Sequence, residues 1–186
     1  MPSVIAYQKE NTDDDLDEDQ WGFSASGLKS YLWTKLLLGK DTRSSQSQNS
    51  NLKELYGDGF CTLPLGKSAK DVVTDYLKGL YKYLIERLQK HDEMIFRITP
   101  MEFWFTVPAM WTDAAKTATI ESAQAAGFGS RTAMDSVHII TEPEAAALSI
   151  LTPRVGLATV TGLEVVMYST ISWQMLRSYR AALKTS

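Results

Sequence analysis

The sequence predicts an α/β fold whose central sheet is parallel. Glu102–Val107 is rich in aromatic and β-branched residues and stops at Pro108, which is typical of a strand. An Ala-rich helical segment follows, and then a second strand, "DSVHIIT", leads into a second helix, "PEAAALSIL". Strands that alternate with helices in this way pair in parallel, and the helices cover the sheet.

Length and composition set the broad class of the protein. With 186 residues, 44% of them hydrophobic and 22% charged, the chain has about the size and composition of one globular domain. Its net charge of −3 gives no indication of a nucleic-acid partner or of an anionic membrane surface. Six acids lie in "DDDLDED" (Asp13–Asp19), and without them the rest of the chain would carry +3. We interpret this run as a solvated loop rather than a metal or partner site, because it lacks the glycine turn and spaced oxygens of an EF-hand.

Cysteine and histidine content argues against disulfides and against a histidine metal site. Cys61 is the only cysteine, which fits a reducing compartment, and we expect a cytoplasmic protein. His91 and His138 do not have the spacing of metal ligands. The N-terminus lacks the basic and apolar regions of a secretory signal. Val155–Leu176 is long enough to cross a membrane, but its polar residues and Glu164 make a membrane span the less favoured interpretation.

The first half of the chain contains the clearest helix. Pro2–Tyr7 ("PSVIAY") favours a short strand, and the polar segment Asp41–Asn51 favours a loop. Ser68–Gln89 is predicted to be helical because its apolar residues recur every three or four positions, and Ser68 and Asp71 have the spacing of a capping box. The apolar face consists of Val73, Tyr76, Leu77, Leu80, Leu84 and Leu88.

Caps and core residues follow from the same patterns. Thr112 or Asp113 is predicted to cap the Ala-rich helix, and Gly127 to end it. Gly79, inside the first helix, is expected to cost about 1 kcal/mol relative to alanine. The residues expected to be largely buried between helices and sheet are Val73, Leu77, Leu80, Leu84, Phe105, Val107, Ile120, Ile139 and Ile140.

Two short motifs suggest a site for phosphate or metal. "LGKS", which ends at Ser68, looks like the end of a P-loop, but Cys61 stands where that motif needs its first glycine, so we interpret Ser68 as a helix cap. Glu142 has two open interpretations. It is either an acid favoured at a helix start, where Thr141 and Glu144 form their own capping box, or a carboxylate that faces a ligand. The second interpretation rests on position, since open α/β sheets bind ligands beyond the carboxyl ends of their strands.

Longer stretches carry a resemblance to a known family. "FTVPAMWTDAAKTATIESAQAAGFGS", followed by "VHIITEPEAAAL", resembles the seventy-kilodalton heat-shock chaperones of the actin, hexokinase and heat-shock ATPase superfamily, and in particular the divergent heat-shock-like proteins with Pro-Glu-Ala-Ala. The resemblance covers about Ser68 to Leu151, and "PSVIAY" and "WG" near the start match more loosely. It implies an incomplete ribonuclease-H-like (actin-like ATPase) lobe, in which a mixed sheet is flanked by helices.

The resemblance also implies where a nucleotide would bind. In that family the glutamate of the Glu-Pro pair lies at the magnesium of the nucleotide, usually through water, and it corresponds to Glu142. The family places a lysine of its upper subdomain beside the transferred phosphate, and Lys35 in "WTKLLLGK" is the candidate for this catalytic role. Lys29 and Lys40 lie nearby, and the residues alone allow an ordinary surface lysine at each position. The implied cofactors are ATP and Mg²⁺, which prefers oxygen ligands and keeps several waters.

This sequence departs from the family at both phosphate-binding loops. The family's opening hairpin with Asp and Gly-Thr, and its second loop with Asp and Gly-Gly-Gly-Thr, have no counterpart here. Because such loops supply the donors that hold phosphates, we expect this chain to bind Mg-ATP weakly or not at all. The interpretation is a partial ATPase domain with ancestry in an ATP-dependent chaperone-like protein. The alternative is a non-catalytic remnant or protein-interaction module.

The resemblance divides the chain into three parts. Residues 1–67 correspond to a first strand with an upper subdomain, 68–151 to the core of the first lobe, and 152–186 to a divergent tail. We expect the tail to pack less well than the core, with Trp173 and Leu176 partly exposed, although "VVMYSTI" is able to form a strand. The expected partners are a nucleotide, if the site is competent, and other proteins. Nucleic acid is not expected, and a membrane is the less favoured partner.

Overall fold

Within the described residues the strands form two small sheets, one antiparallel near the N-terminus and one parallel in the core, where the family resemblance implies a mixed sheet. A computed structural model describes residues 2–12, 16–39, 57–91, 93–151 and 163–167. The strands are β1 (Val4–Ala6), β2 (Gln20–Trp21), β3 (Tyr31–Leu32), β4 (Met101–Val107), β5 (Ser136–Thr141) and β6 (Leu163–Met167). The α-helices are α1 (Ala69–His91), α2 (Glu93–Ile98), α3 (Asp113–Ala125) and α4 (Glu142–Leu151), and short 3-10 helices cover Gln8–Glu10, Gly22–Ala25 and Thr34–Leu37. The chain is therefore a mixed α/β protein.

Helix α1 begins with the capping box that the sequence predicts. The Ser68 backbone N–H donates to Asp71 Oδ2 at 2.8 Å, and the Asp71 N–H donates to Ser68 Oγ at 3.2 Å. These hydrogen bonds hold the pKa of the Asp71 carboxyl below its usual value. Ser68 thus serves the helix start, which agrees with its interpretation as a cap rather than as part of a phosphate loop.

The parallel sheet has β4 at its centre, with the order β5–β4–β6. Alternate residues of β4 point into the core against α1 and α3, so that Phe103 and Phe105 are almost fully buried. Both rings meet Phe128 edge-on, each with a centroid distance of 5.1 Å. Aromatic packing between the end of α3 and the central strand therefore forms the middle of the core.

The end of α3 explains how Phe128 reaches that position. Gly127 has a φ of +110°, which glycine adopts at low cost. Its N–H donates to the carbonyl of Gln124 at 3.0 Å, and the Phe128 N–H donates to the carbonyl of Ala123 at 3.1 Å. This pair of bonds is a Schellman motif. Gly127 is the C-terminal cap that the sequence predicts, and Thr112 is the N-cap, with its hydroxyl accepting from the Ala115 N–H.

Burial is less complete on one flank than the sequence predicts. The predicted core residues that are buried are Val73, Leu77, Phe105 and Val107. The predicted core residues that are half-buried are Leu80, Leu84, Ile120, Ile139 and Ile140. For the two β5 residues the reason is position, because among the described strands β5 pairs only with β4 and lies at an edge of the sheet. Leu80, Leu84 and Ile139 still pack against the core from its margin.

The N-terminal sheet packs on α1 through tyrosines. Strand β1 pairs antiparallel with both β2 and β3. Tyr7 and Tyr31 are buried beside Val72 of α1. The Tyr7 hydroxyl donates to Asp75 Oδ2 of α1 at 3.2 Å, and the Lys67 ammonium lies 4.3 Å from the centre of the Tyr7 ring. This sheet is thereby joined to the same helix that covers the parallel sheet.

Strand β6 belongs to the segment that follows the region of resemblance. It pairs in parallel with β4, with Phe103 opposite Val165. It overlaps "VVMYSTI", the stretch whose β-branched residues allow a strand. The expectations for Trp173, Leu176 and the loop Asp41–Asn51 lie outside the described residues. No helix in the described part of the chain has the length and apolar character that a membrane span requires.

Candidate functional site

Glu142 lies at the edge of the parallel sheet where the strands end. Val107 of β4 is in register with Thr141 of β5, so the carboxyl ends of the two strands are level. Glu142 follows immediately as the first residue of α4. Its side chain is 43% exposed. The glutamate is therefore at the location where open α/β sheets bind ligands.

The helix start beside Glu142 is capped by other residues. The Thr141 N–H donates to Glu144 Oε2 at 3.0 Å, and the Glu144 N–H donates to Thr141 Oγ1 at 3.4 Å. Hydrogen bonds from Thr141 lower the pKa of the Glu144 carboxyl. This is the capping box that the sequence predicts. Thr141 and Glu144 therefore supply the cap at the start of α4.

Lys35 is held by a short, well-anchored segment. Trp33 adopts a left-handed conformation, with a φ of 61°, and the 3-10 helix Thr34–Leu37 begins after it. The Trp33 ring packs on the Phe60 ring with a centroid distance of 5.9 Å. Leu38, just after the helix, packs against the main core. These contacts fix the backbone on both sides of Lys35.

Lys35 and Glu142 meet although 107 residues separate them in sequence. Lys35 Nζ lies 3.4 Å from Glu142 Oε1. The lysine side chain is only 12% exposed, whereas the glutamate is open to solvent on one side. Burial lowers the pKa of the Lys35 ammonium, and the nearby charge and hydrogen bond of Glu142 partly oppose this shift. The structure thus brings together the two residues singled out for catalysis and for the nucleotide and its metal.

The donor set at this edge suits one mode of magnesium binding. Among the described residues, no group of three or more His, Cys, Asp or Glu side chains could enclose a metal ion. Glu142 is a carboxylate next to an ammonium group, which fits a hydrated Mg²⁺ held largely by water and by ligand phosphates. It does not fit an all-protein metal cage.

The neighbouring lysines differ from Lys35. Lys29 has a 64% exposed side chain and pairs with Glu10 at 3.4 Å, and it does not take part in this site. Lys40 lies outside the described residues.

Trp111 is a neighbour that the sequence analysis missed. It follows β4 by four positions and packs beside Gly39, where an added Cβ would lie 3.2 Å from the indole Nε1. No local sequence signal pairs these two segments.

The chain matches no protein-family model, and no curated protein sequence matches it significantly. The case for a nucleotide site therefore rests on two things. One is the geometry of Lys35 and Glu142 at the end of the parallel strands. The other is the set of sequence segments that resemble the heat-shock family.

Proposed function

We propose that this chain is part of a heat-shock-type ATPase lobe of ribonuclease-H-like character, in which Lys35 and Glu142 form the phosphate and magnesium side of a nucleotide site. The observation that carries the proposal is the 3.4 Å approach of Lys35 Nζ to Glu142 Oε1. The family resemblance assigns a phosphate role and a magnesium role to two residues in distant segments. Those two residues are in contact, at the sheet edge where the family binds nucleotide.

The chemistry of the pair suits a phosphate group with its metal. Lys35 is largely shielded from water, so its charge acts on an approaching phosphate oxygen with less screening than a surface lysine would have. Glu142 is half-open to solvent and can accept hydrogen bonds from the waters of a hydrated cation. When bound, Mg²⁺ would neutralise phosphate charge during hydrolysis.

The surrounding fold supports the same location. Strands β4 and β5 are parallel and end together, and α3 lies between them along the chain. Crevices at the carboxyl ends of such strands are the usual ligand sites of open α/β sheets. A cytoplasmic location goes with this proposal, since Cys61 is the only cysteine of the sequence and an internal disulfide would need a second one.

The affinity expected of this chain is low. Nucleotide sites gain most of their strength from backbone N–H groups and cations around the phosphates, and the sequence contains neither of the family's phosphate loops. Association costs an estimated 4 kcal/mol or more in lost freedom, which few contacts remain to offset. We therefore expect a dissociation constant nearer to about 1 mM than to about 1 μM.

Titration calorimetry with Mg-ATP, together with amide chemical shifts, tests the proposal. We expect Lys35→Met and Glu142→Gln each to weaken the binding, and the amides around Thr141 to shift on titration. Lys29→Met removes an equal charge from an exposed lysine of the same segment and should leave the affinity unchanged. Glu144→Gln is the matched control for Glu142→Gln, because glutamine also serves in a capping box.

Three results would count against parts of this proposal. Binding that neither Lys35→Met nor Glu142→Gln changes would move the site elsewhere. If millimolar Mg-ATP gives no heat of binding and no change in amide chemical shifts, the alternative is favoured. That alternative is a protein-interaction module that does not bind nucleotide. Micromolar binding that Glu142→Gln weakens would show that the lost loops matter less than we expect.

A further inference from the structure

A second candidate site lies between the N-terminal sheet and the core. A cavity of about 250 Å³ is enclosed by β1, β3, the 3-10 helix Thr34–Leu37, α1, β4 and α3. Its walls are almost wholly apolar, and the lining residues include Ile5, Trp33, Tyr76, Leu77, Phe105 and Trp111. An engineered apolar cavity of about 150 Å³ binds benzene, so this one has room for roughly eight to ten heavy atoms.

Two hydroxyl groups in the cavity wall, those of Tyr31 and Thr119, donate hydrogen bonds to the protein. The Tyr31 hydroxyl donates to Glu10 Oε2 at 2.6 Å. The Thr119 hydroxyl donates to the carbonyl of Ala115, within its own helix, at 2.9 Å. Ligand recognition inside the cavity would therefore depend mainly on apolar contact.

One charged group lines the cavity. Among the described residues around it, Lys35 alone carries a formal charge. Its ammonium contacts Glu142, which is not part of the cavity wall and is 43% exposed. The aliphatic stem of Lys35 thus lies along the apolar wall, and its charged end reaches Glu142 at the rim. An apolar chamber with a single cation at its rim complements a molecule with an apolar chain and one negative end.

We propose that this cavity binds a medium-chain carboxylate of about eight carbons, with its chain among the aromatic side chains and its carboxylate on the Lys35 ammonium. The ligand carboxylate takes the place of Glu142, whose side chain is 43% exposed. This inference does not depend on nucleotide binding.

Calorimetry with a series of straight-chain carboxylates tests the chain-binding part. Each added methylene is worth about 0.8 kcal/mol when buried, which is a roughly fourfold gain in affinity. We expect this gain to continue to about eight carbons and then to stop, because the cavity is full. Val4→Phe places a ring in the cavity and should abolish binding. Thr119→Leu, on the opposite wall, serves if Val4→Phe does not fold.

Octanoate and 1-octanol, compared on the same variants, test the role of Lys35. Lys35→Met should lower the affinity for octanoate by roughly tenfold or more, which is the usual effect of losing a hydrogen bond to a charged group. The affinity for octanol should be the same as in the unaltered chain. Glu142→Gln should raise the affinity for octanoate, because it removes the carboxylate that competes for the Lys35 ammonium. The same variant is expected to lower the affinity for Mg-ATP. The nucleotide proposal and the carboxylate proposal can therefore succeed or fail separately.

Several outcomes would overturn the inference. One is the absence of octanoate binding by the intact chain. Another is an affinity for octanol that equals the affinity for octanoate in every variant. A third is an affinity that keeps rising with chain length beyond about eight carbons. Octanoate binding that survives both cavity-filling substitutions would place the ligand on another surface. A stable dimer that closes the cavity, seen by sedimentation at the same protein concentration, would assign the apolar walls to a second copy of the chain.

Discussion

At the scale of single residues, the two halves of the Lys35–Glu142 pair are in unequal surroundings. Lys35 is 12% exposed and Glu142 is 43% exposed. Removing the carboxylate leaves a nearly buried ammonium without this partner, whereas removing the ammonium leaves a carboxylate that water can solvate. The two removals should therefore have unequal consequences for the free energy of unfolding, although each breaks the same contact.

We predict that Glu142→Gln lowers the free energy of unfolding by about 1–3 kcal/mol and that Lys35→Met leaves it unchanged or raises it by up to about 1 kcal/mol. Urea denaturation measures both values, provided that the variants and the unaltered protein have the same dependence of unfolding free energy on urea concentration. Equal losses in the two variants would mean that the pair contributes as an ordinary surface ion pair. A stabilising Lys35→Met that also loses Mg-ATP binding would indicate that the lysine is retained for function.

Ser122 offers a second test at this scale. It is fully buried in α3, and its hydroxyl has no hydrogen-bond partner among the described residues. A buried polar group without a partner is destabilising, and alanine is also the better helix former. We predict that Ser122→Ala raises the unfolding free energy by about 0.5–1.5 kcal/mol. Thr119→Val is the matched comparison, because that buried hydroxyl of the same helix does donate a hydrogen bond and its removal should be destabilising.

At the scale of elements, helix ends were predictable and sheet environment was not. Three helix ends depend on residues within about four positions of each other. They are the capping boxes at Ser68 and Thr141 and the glycine cap at Gly127. The local sequence is therefore enough to place these helix ends. The half-burial of Ile139 and Ile140 depends on β5 being an edge strand. That follows from strand order, which hydrophobic pattern alone does not specify.

Gly79 shows the same limit inside a helix. Sequence reasoning treats it as a defect that costs about 1 kcal/mol relative to alanine. In the fold, the indole of Trp21 packs against this position, and an added Cβ would lie 2.6 Å from Trp21 Nε1. Trp21 also meets Tyr76 and Tyr83 of α1 edge-on. The glycine therefore permits the N-terminal sheet to lie close to α1.

We predict that Gly79→Ala destabilises the protein by about 1–3 kcal/mol in spite of alanine's higher helix propensity, because the indole must move. Thermal and urea unfolding would measure the loss. Lys82→Ala, at an exposed position of the same helix, controls for helix propensity. In the background of Trp21→Leu the effect of Gly79→Ala should shrink, and an unchanged effect would contradict the packing explanation.

At the scale of the whole molecule, the candidate site joins two parts of the chain that have separate sheets. Lys35 comes from the N-terminal part and Glu142 from the edge of the parallel sheet. The family resemblance predicts a role for each residue. Their contact was not predictable from the residues, because it depends on how the N-terminal sheet docks on α1. Tyr7 and Asp75 make part of that docking contact.

The same docking makes the stability of the molecule sensitive to alkaline pH. Burial, with a hydrogen bond to Glu10 and the charge of that residue, raises the pKa of Tyr31 to about 12. Burial and the charge of Asp75 raise the pKa of Tyr7 as well. An unfolded tyrosine has a pKa of about 10. Folding therefore favours the protonated hydroxyls, and their contribution to stability is fully present below about pH 10 and is lost as the pH rises through the folded pKa values.

We predict that the unfolding free energy falls between about pH 10 and about pH 12 and that Tyr31→Phe reduces the steepness of this fall, because phenylalanine has no hydroxyl to ionise. Urea denaturation across this range measures the slope, and tyrosinate absorbance locates the ionisation itself. Tyr83→Phe, at an exposed tyrosine of α1, controls for the loss of a hydroxyl group. If Tyr31→Phe and Tyr83→Phe change the slope equally, the raised pKa of Tyr31 does not account for the alkaline loss of stability. A shallower slope in Tyr31→Phe alone would mean that ionising this buried tyrosine destabilises the folded protein.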